Sequence, residues 1–545
     1  MNSLTLLLLG IVLFLFAYVT YGAYLAKQWG IDPNRKTPAH TMRDDIDYCP
    51  ANAKVLLGHH FSSIAGAGPI TGPITASVFG WLPVYLWIVF GSIFVGGVHD
   101  WGSLFASIRH GGKSIGEIIR VNIGENGKKL FNIFAYLTLI LVVAAFTDIC
   151  AGTFAYNPAK PEALSGAQAG TASVLFIFLA MGFGFFVYRR GARLSVSTIV
   201  GVALLFFCIW VGYQFPVLKL SKFAWDIILI IYIYAASTLP VWFLLQPRDY
   251  LCSFLLYAML AGAVIGVLIA RPAMAIPASV GFTVGEGAKA QYLFPMLFVL
   301  VACGAISGFH SLVGSGTSAK QLDNEKDTKL VGYGAMLIEG LVAIIALIAV
   351  GYAAGAKGTP AQIFASGVAY FMSKFGISVS VGTVFVILAF SAFALTSLDT
   401  ATRLGRYMFQ EMTTRPDGIK SSLNNMYIAT AITVGLSALL LSYGYQKIWP
   451  IFGSANQLLA GLSLLAISAW LAKSGKKNFM TVIPMVFMFA VTLSALVLVA
   501  RSNFAGGNII IGALAVILFI LAIVLILTTI NTFFGKKSKD QKLGA

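Results

Sequence analysis

The stretch Gly58-His59-His60-Phe61-Ser62-Ser63-Ile64-Ala65-Gly66-Ala67-Gly68-Pro69-Ile70-Thr71-Gly72-Pro73 decides how the rest of the chain is read. It lies inside an apolar run, 54–80, and carries four glycines and two prolines. Glycine and proline both weaken a helix, the first through backbone entropy and the second by lacking an N–H. In a bilayer the released N–H and C=O groups have no water to turn to. Such a break is stable only against protein or an aqueous cavity. In transporters, interrupted helices hold substrate and coupling ions near the midplane. The stretch is expected to form one wall of a transport site, with Phe61, Ser62, Ser63, Gly66, Ala67, Gly68 and Thr71 toward the substrate.

The surrounding composition agrees. The 545 residues are 58% hydrophobic with a mean hydropathy of +0.85, and 10% are charged, against about a quarter in soluble domains. This is the composition of a polytopic α-helical membrane protein, without the short alternating segments of an outer-membrane barrel. Cys49, Cys150, Cys208, Cys252 and Cys303 form no CxxC pair, which argues against a disulfide framework or zinc ribbon. The first span, about 3–26, lacks a basic flank and a cleavage signal, so it is read as a retained helix.

Apolar runs that can cross a bilayer number about fifteen. With fifteen crossings the termini lie on opposite sides. The loops then divide into a set with 28 Lys and Arg and a set with 9. The positive-inside rule makes the first set cytoplasmic, with the N-terminus outside and the C-terminus inside. The net charge of +17 is thus topological, and nucleic acid is not needed as a partner; membrane lipid is. The first cytoplasmic loop, 28–53, reads as a structured surface loop. Its run Asp44-Asp45-Ile46-Asp47-Tyr48 is an oxygen-rich candidate for a divalent cation.

A second interruption is expected in the span 226–247, at Ser237-Thr238-Leu239-Pro240-Val241-Trp242. Ser237, Thr238 and Trp242 there are candidate substrate residues. Spans 54–80 and 226–247 start from opposite sides and each opens a set of five helices, the pattern of an inverted five-plus-five repeat. The organisation expected is an extra N-terminal helix (1–27), the loop (28–53), a first repeat (54–225), a second repeat (226–405) and extra C-terminal helices (406–545).

Polar groups in the remaining spans mark the midplane. Span 290–318 carries Phe309, a further substrate candidate, and Ser311 and Ser315, which share a helix face and suit a cation site. His59, His60, His99, Asp100 and His310 fall on three helices at similar depth. Ionisable groups in a membrane interior are costly and mark pathways or proton relays, and histidine titrates near neutrality. Asp399 is expected to pair with Arg403, and Arg248 with Asp249 as a cytoplasmic gate. Asn456 and Gln457 are expected to join the C-terminal helices to the core.

The quoted stretch resembles the signature of the carbon starvation protein A (CstA) family. The similarity continues through His99-Asp100-Trp101-Gly102, Ser307-Gly308-Phe309-His310-Ser311 with Gly314-Ser315-Gly316-Thr317, and Trp449-Pro450-Ile451-Phe452-Gly453-Ser454-Ala455-Asn456-Gln457-Leu458-Leu459-Ala460. The resemblance implies an inner-membrane secondary transporter rather than an enzyme. Its core would be the LeuT-like fold of the APC superfamily, its substrate a peptide or a small carboxylate such as pyruvate, and its coupling ion H⁺ rather than Na⁺. Within that reading the open N–H groups from Gly66 to Gly72 suit a substrate carboxylate. His59, His60, His99, Asp100, His310, Ser311 and Ser315 would serve proton or cation coupling. Two alternatives stand beside it: a membrane metalloprotein holding a transition metal through His59, His60, His99 and His310, and a passive channel.

Overall fold

The computed structural model describes residues 2–44, 48–159, 164–240, 243–285, 290–353, 355, 357–414 and 422–540. α1 (Ser3–Val19) and α2 (Tyr21–Trp29) form one apolar crossing. α3 (Pro38–Thr41) lies in the first loop, and α4 (Ala53–Ile64) and α5 (Gly68–Ala76) make an interrupted crossing. α6 (Trp81–Gly91) runs through a π-helical turn, Ser92–Gly96, into α7 (Gly97–Arg109). α8 (Ile115–Asn122) is short and amphipathic, burying Ile115, Ile118 and Ile119. Then come α9 (Glu125–Phe154), α10 (Ser165–Gly184), α11 (Leu194–Gln214), α12 (Lys222–Thr238) and α13 (Leu245–Ala270). A two-stranded antiparallel pair, β1 (Thr283–Val284) and β2 (Gln291–Tyr292), precedes α14 (Leu293–Leu300) and α15 (Gly308–Gly316), the second interrupted crossing. A π-helical segment, Lys329–Gly334, leads into α16 (Ala335–Tyr352). The chain ends through α17 (Pro360–Ser373), α18 (Val379–Thr413), α19 (Met426–Leu441), α20 (Tyr445–Lys473), α21 (Phe479–Ala505) and α22 (Ile509–Asp540).

Eleven helical segments among the described residues are long and apolar enough to cross a bilayer. The two interrupted crossings and the shorter α12 and α19 bring the number to the expected fifteen. Hydrogen bonds show which loops share an end. Arg109 donates to the Gly30 carbonyl at 2.9 Å and pairs with Glu325, which also accepts the Asp32 N–H at 2.9 Å. Lys473 donates to the Asn122 carbonyl at 2.7 Å, and Asn132 to Glu411 at 3.0 Å. At the opposite end Ser3 donates to the Pro272 carbonyl at 2.5 Å, Trp81 N–H to Pro277 at 3.1 Å, and Ala275 N–H to Gly351 at 2.7 Å. The loops richest in Lys and Arg collect at the first end, the basic end.

The first loop is ordered against the chain that follows α15. Thr37 donates to the Leu322 carbonyl at 2.6 Å, and Ala51 N–H to Gln321 at 2.9 Å. Asp44 accepts the Tyr48 N–H at 2.8 Å; Asp45 and Asp47 lie outside the described residues. On α8, Glu117 meets Arg120 at 2.6 Å and Lys128 at 3.1 Å. The hydrogen bond from Arg120, aided by Lys128 and opposed by partial burial, holds the Glu117 carboxyl at about 2, below its ordinary 4.5. α17 starts at a capping box, Thr359 with Gln362, and packs against α13, α16 and α18.

The second interruption is not where Pro240 placed it. α12 ends at Thr238, and the chain passes through Leu239 and Pro240 to α13. Pro240 stops a helix because the residue before a proline leaves the helical region; Leu239 has ψ 151°. The second break falls instead at 301–307, a stretch without proline. Neighbouring side chains, described next, hold that one open.

Candidate functional site

The two interruptions lie against each other. A Cβ on Gly72 would stand 2.7 Å from the Leu300 carbonyl oxygen, so only glycine allows α5 this close to the end of α14. Gly68 presses on Cys303 in the same way. Side chains meet several of the backbone groups freed by the second break. The Trp87 indole donates to the Val301 carbonyl at 3.2 Å and Ser92 to Gly304 at 3.1 Å. Gln457 donates to the Phe298 carbonyl, and Asn456 accepts the Phe309 N–H at 2.9 Å while donating to Ser307 at 2.9 Å. Asn456 and Gln457 do join α20 to the core, and they do so through the opened backbone. Without such partners a break at this depth would leave polar groups unpaired in a dry interior.

The first break also keeps open groups. The Ser63 carbonyl accepts from Ser397 of α18 at 3.1 Å. The N–H groups of Ala67, Gly68 and Ile70 have no acceptor among the described hydrogen bonds. Ser62 Oγ and Thr71 Oγ1 are buried without partners. Open donors at the start of α5 and two free hydroxyls make this the most receptive wall for an anionic polar group. Ser63 bonds back to the His59 carbonyl at 2.9 Å, and Phe61 stacks on Tyr257 with centroids 6.2 Å apart.

One turn from the second break, α15 places His310 between two carboxylates. His310 Nδ1 lies 2.7 Å from Asp100 Oδ2 on α7, and Nε2 lies 3.4 Å from Glu339 Oε2 on α16. Asp100 Oδ1 in turn lies 2.7 Å from His99 Nδ1. None of the four residues is more than 2% exposed. Each carboxylate sits on the helix that continues a π-helical segment, 92–96 or 329–334. His60 joins the edge of this group, with Nδ1 2.8 Å from Ser318 Oγ.

A second buried network stands on the other side of α4. Arg248 at the start of α13 pairs with Asp399 of α18, donates to Tyr232 of α12 at 2.5 Å and reaches Asp249 at 3.2 Å. Tyr232 donates to Asp399 at 2.8 Å. The expected Asp399–Arg403 pair is not formed. Arg403 instead donates to the Ala236 and Leu239 carbonyls at 2.9 and 2.6 Å, capping the end of α12 that Pro240 leaves open. His59 faces this network, with Nδ1 3.7 Å from Asp249 Oδ2.

The remaining candidates fall elsewhere. Ser311 contacts Ser463 of α20 at 2.8 Å rather than the first break, and Ser315 bonds back to the Ser311 carbonyl at 2.7 Å. Phe309 is buried beside Asn456. Ser237 lies 3.5 Å from Thr430 of α19, and Thr238 bonds to its own helix. Trp242 lies outside the described residues. Among the described residues no three His, Cys, Asp or Glu side chains form a group that can hold a metal ion.

Residues 2–356 and 351–495 match the carbon starvation protein CstA family. The chain belongs to this family. The Peptide transporter CstA of Campylobacter jejuni is 32% identical over 570 residues, covering 90% of this chain and 79% of its own. That of Bacillus subtilis is 30% identical, covering 100% of this chain and 99% of its own. The Pyruvate/proton symporter BtsT of Escherichia coli is 30% identical, covering 91% and 81%. Among solved structures, a mutant manganese transporter of Eremococcus coleocola superposes with a TM-score of 0.50 at 12% identity, over 90% of this chain and 98% of that one. This CstA-family chain is thus an all-α polytopic membrane protein with the LeuT-like fold. Of the residues that build its site, Ser92, Ser397 and Tyr232 were not singled out in the sequence. Their only signal there is a polar atom within an apolar run.

Proposed function

We propose that this chain is a secondary active transporter that imports peptides or small carboxylates such as pyruvate by alternating access, coupled to protons. The observation that carries the reading is the contact between two interrupted helices with His310, Asp100 and Glu339 buried beside it. The relatives' printed names supply the substrate classes. In this mechanism the open N–H groups of Ala67, Gly68 and Ile70 receive the substrate carboxylate. A proton on the His310 group offsets one of its two carboxylates and biases the packing of α15 against α7 and α16. The core spans 54–405, with 1–27 and 406–545 as added helices. The basic end faces the cytoplasm and the N-terminus lies outside.

The test is uptake into proteoliposomes of labelled pyruvate and a labelled dipeptide, each under an imposed pH gradient and then a sodium gradient. Accumulation of either substrate driven by the pH gradient alone is the expected result. Downhill equilibration only would favour a channel, and accumulation driven by sodium alone would overturn the proton.

A further inference from the structure

The structure divides the core histidines between two separate charge networks. His59 and His60 are neighbours on α4, about 100° apart around the helix, and face different partners. His60 meets Ser318, next to the His310 group. His59 faces Asp249, across α4 from it.

The charge balance around His59 is uneven. Arg248 contacts both Asp399 and Asp249. One guanidinium against two carboxylates leaves one negative charge. All three residues are at most 1% exposed, where an uncompensated charge is strongly disfavoured. Valence is also left unused, because Asp399 Oδ1, Arg248 Nε and His59 Nδ1 are buried atoms without a hydrogen-bond partner. The 3.7 Å between His59 and Asp249 is too long for a hydrogen bond yet short for an ion pair. The His59 side chain is 15% exposed against 1% for Asp249, and α4 begins six residues earlier at the basic end, so His59 is the more accessible of the pair.

α4 packs against α13, α15, α16, α18 and the π-helical segment before α16. The charged or titratable groups on those elements include Arg248, Asp249, Tyr250, Cys252 and Tyr257 on α13, His310 on α15, and Glu339 and Tyr352 on α16. Asp399, Arg403, Arg406, Tyr407 and Glu411 lie on α18, and Lys329 and Tyr333 on the π-helical segment. Among the described residues only Asp249 lies within ion-pair distance of His59. We propose that His59 and Asp249 form a second proton site, distinct from the His310 group, and that each transport cycle carries two protons. One proton taken up at His59 on the outer side and released on the inner side neutralises the Arg248 network in between.

This rests on the proton-coupled reading and is tested through stoichiometry. Proteoliposomes are clamped at zero membrane potential, and the static accumulation ratio of the accumulating labelled substrate is measured against the imposed proton ratio. Wild type is expected to follow the square of the proton ratio. His59→Gln, which cannot take the proton, and His59→Lys, which holds a fixed charge, are both expected to follow its first power. A first-power wild type, or a His59→Gln protein that keeps the square, overturns the second site and leaves the coupled reading standing. A wild type indifferent to the proton ratio overturns the coupled reading itself.

Discussion

His310 holds Asp100 through a 2.7 Å contact between Nδ1 and Oδ2, and that contact joins α15 to α7. α15 starts at Gly308, directly after the second break, so His310 rides on the half-helix that the break frees to tilt. Its other nitrogen faces Glu339 at 3.4 Å. A change of charge on one imidazole is therefore felt by three helices at once. That is the arrangement a proton needs in order to bias a conformational equilibrium.

Asn456 holds the second break open by accepting the Phe309 N–H and binding Ser307. Asn456→Leu keeps the branched shape and removes both bonds. The expected loss is about 1–3 kcal/mol for buried groups left unpaired. It reads as a lowered thermal midpoint in detergent, and an unchanged midpoint would show that the break holds without this side chain.

Gly72 lets α5 touch α14. Gly72→Ala places a methyl 2.7 Å from the Leu300 carbonyl oxygen, and overpacking of that kind costs about 1–3 kcal/mol. Transport is expected to fall at least as far as stability, because the two breaks are pushed apart. Full uptake by the alanine variant would mean that their close approach is not needed.

Arg248→Met leaves Asp399 and Asp249 facing each other in a buried site. Breaking a buried ion pair from one side costs roughly 3–5 kcal/mol. The double variant Arg248→Met/Asp399→Leu removes one of the stranded carboxylates and is expected to regain much of that loss. A double-mutant cycle on thermal stability checks this, and additivity of the two changes would show that the pair is not coupled.

Glu117 pairs with Arg120 on its own helix and joins α8 to Lys128 of α9, with its carboxyl held at about 2 rather than 4.5. A depressed carboxyl stabilises the folded state above its unfolded value and loses that contribution as pH falls from 4.5 toward 2. Amide exchange across 115–122 is expected to speed up through that window and to be flat in Glu117→Gln. Equal acceleration in both proteins would assign the effect elsewhere.

How far the sequence foretold this can be argued from particular residues. The helices, their number and the two ends were legible because apolar length and Lys/Arg placement report the bilayer directly. The first break was legible because glycine and proline cause it. The second was not, since Val301 to Ser307 contains no proline and is held open by Trp87, Ser92, Asn456 and Gln457 from other helices. Pro240, the local signal, only ends α12. The His310–Asp100 contact was foreshadowed by equal depth. The partner of Asp399 was not: an i, i+4 spacing pointed to Arg403, whereas Arg248 lies 151 residues away.

The central claim is that a proton on the His310 group drives uphill transport. The most direct measurement compares wild type with His310→Gln in the same proteoliposomes, scoring accumulation driven by a pH gradient and exchange of labelled for unlabelled substrate at equal pH. The account predicts that His310→Gln accumulates substrate to a lower power of the proton ratio than wild type while exchange persists, because binding and alternation remain and only the His310 proton is gone. A His310→Gln protein that still accumulates substrate with the wild-type pH dependence would contradict it.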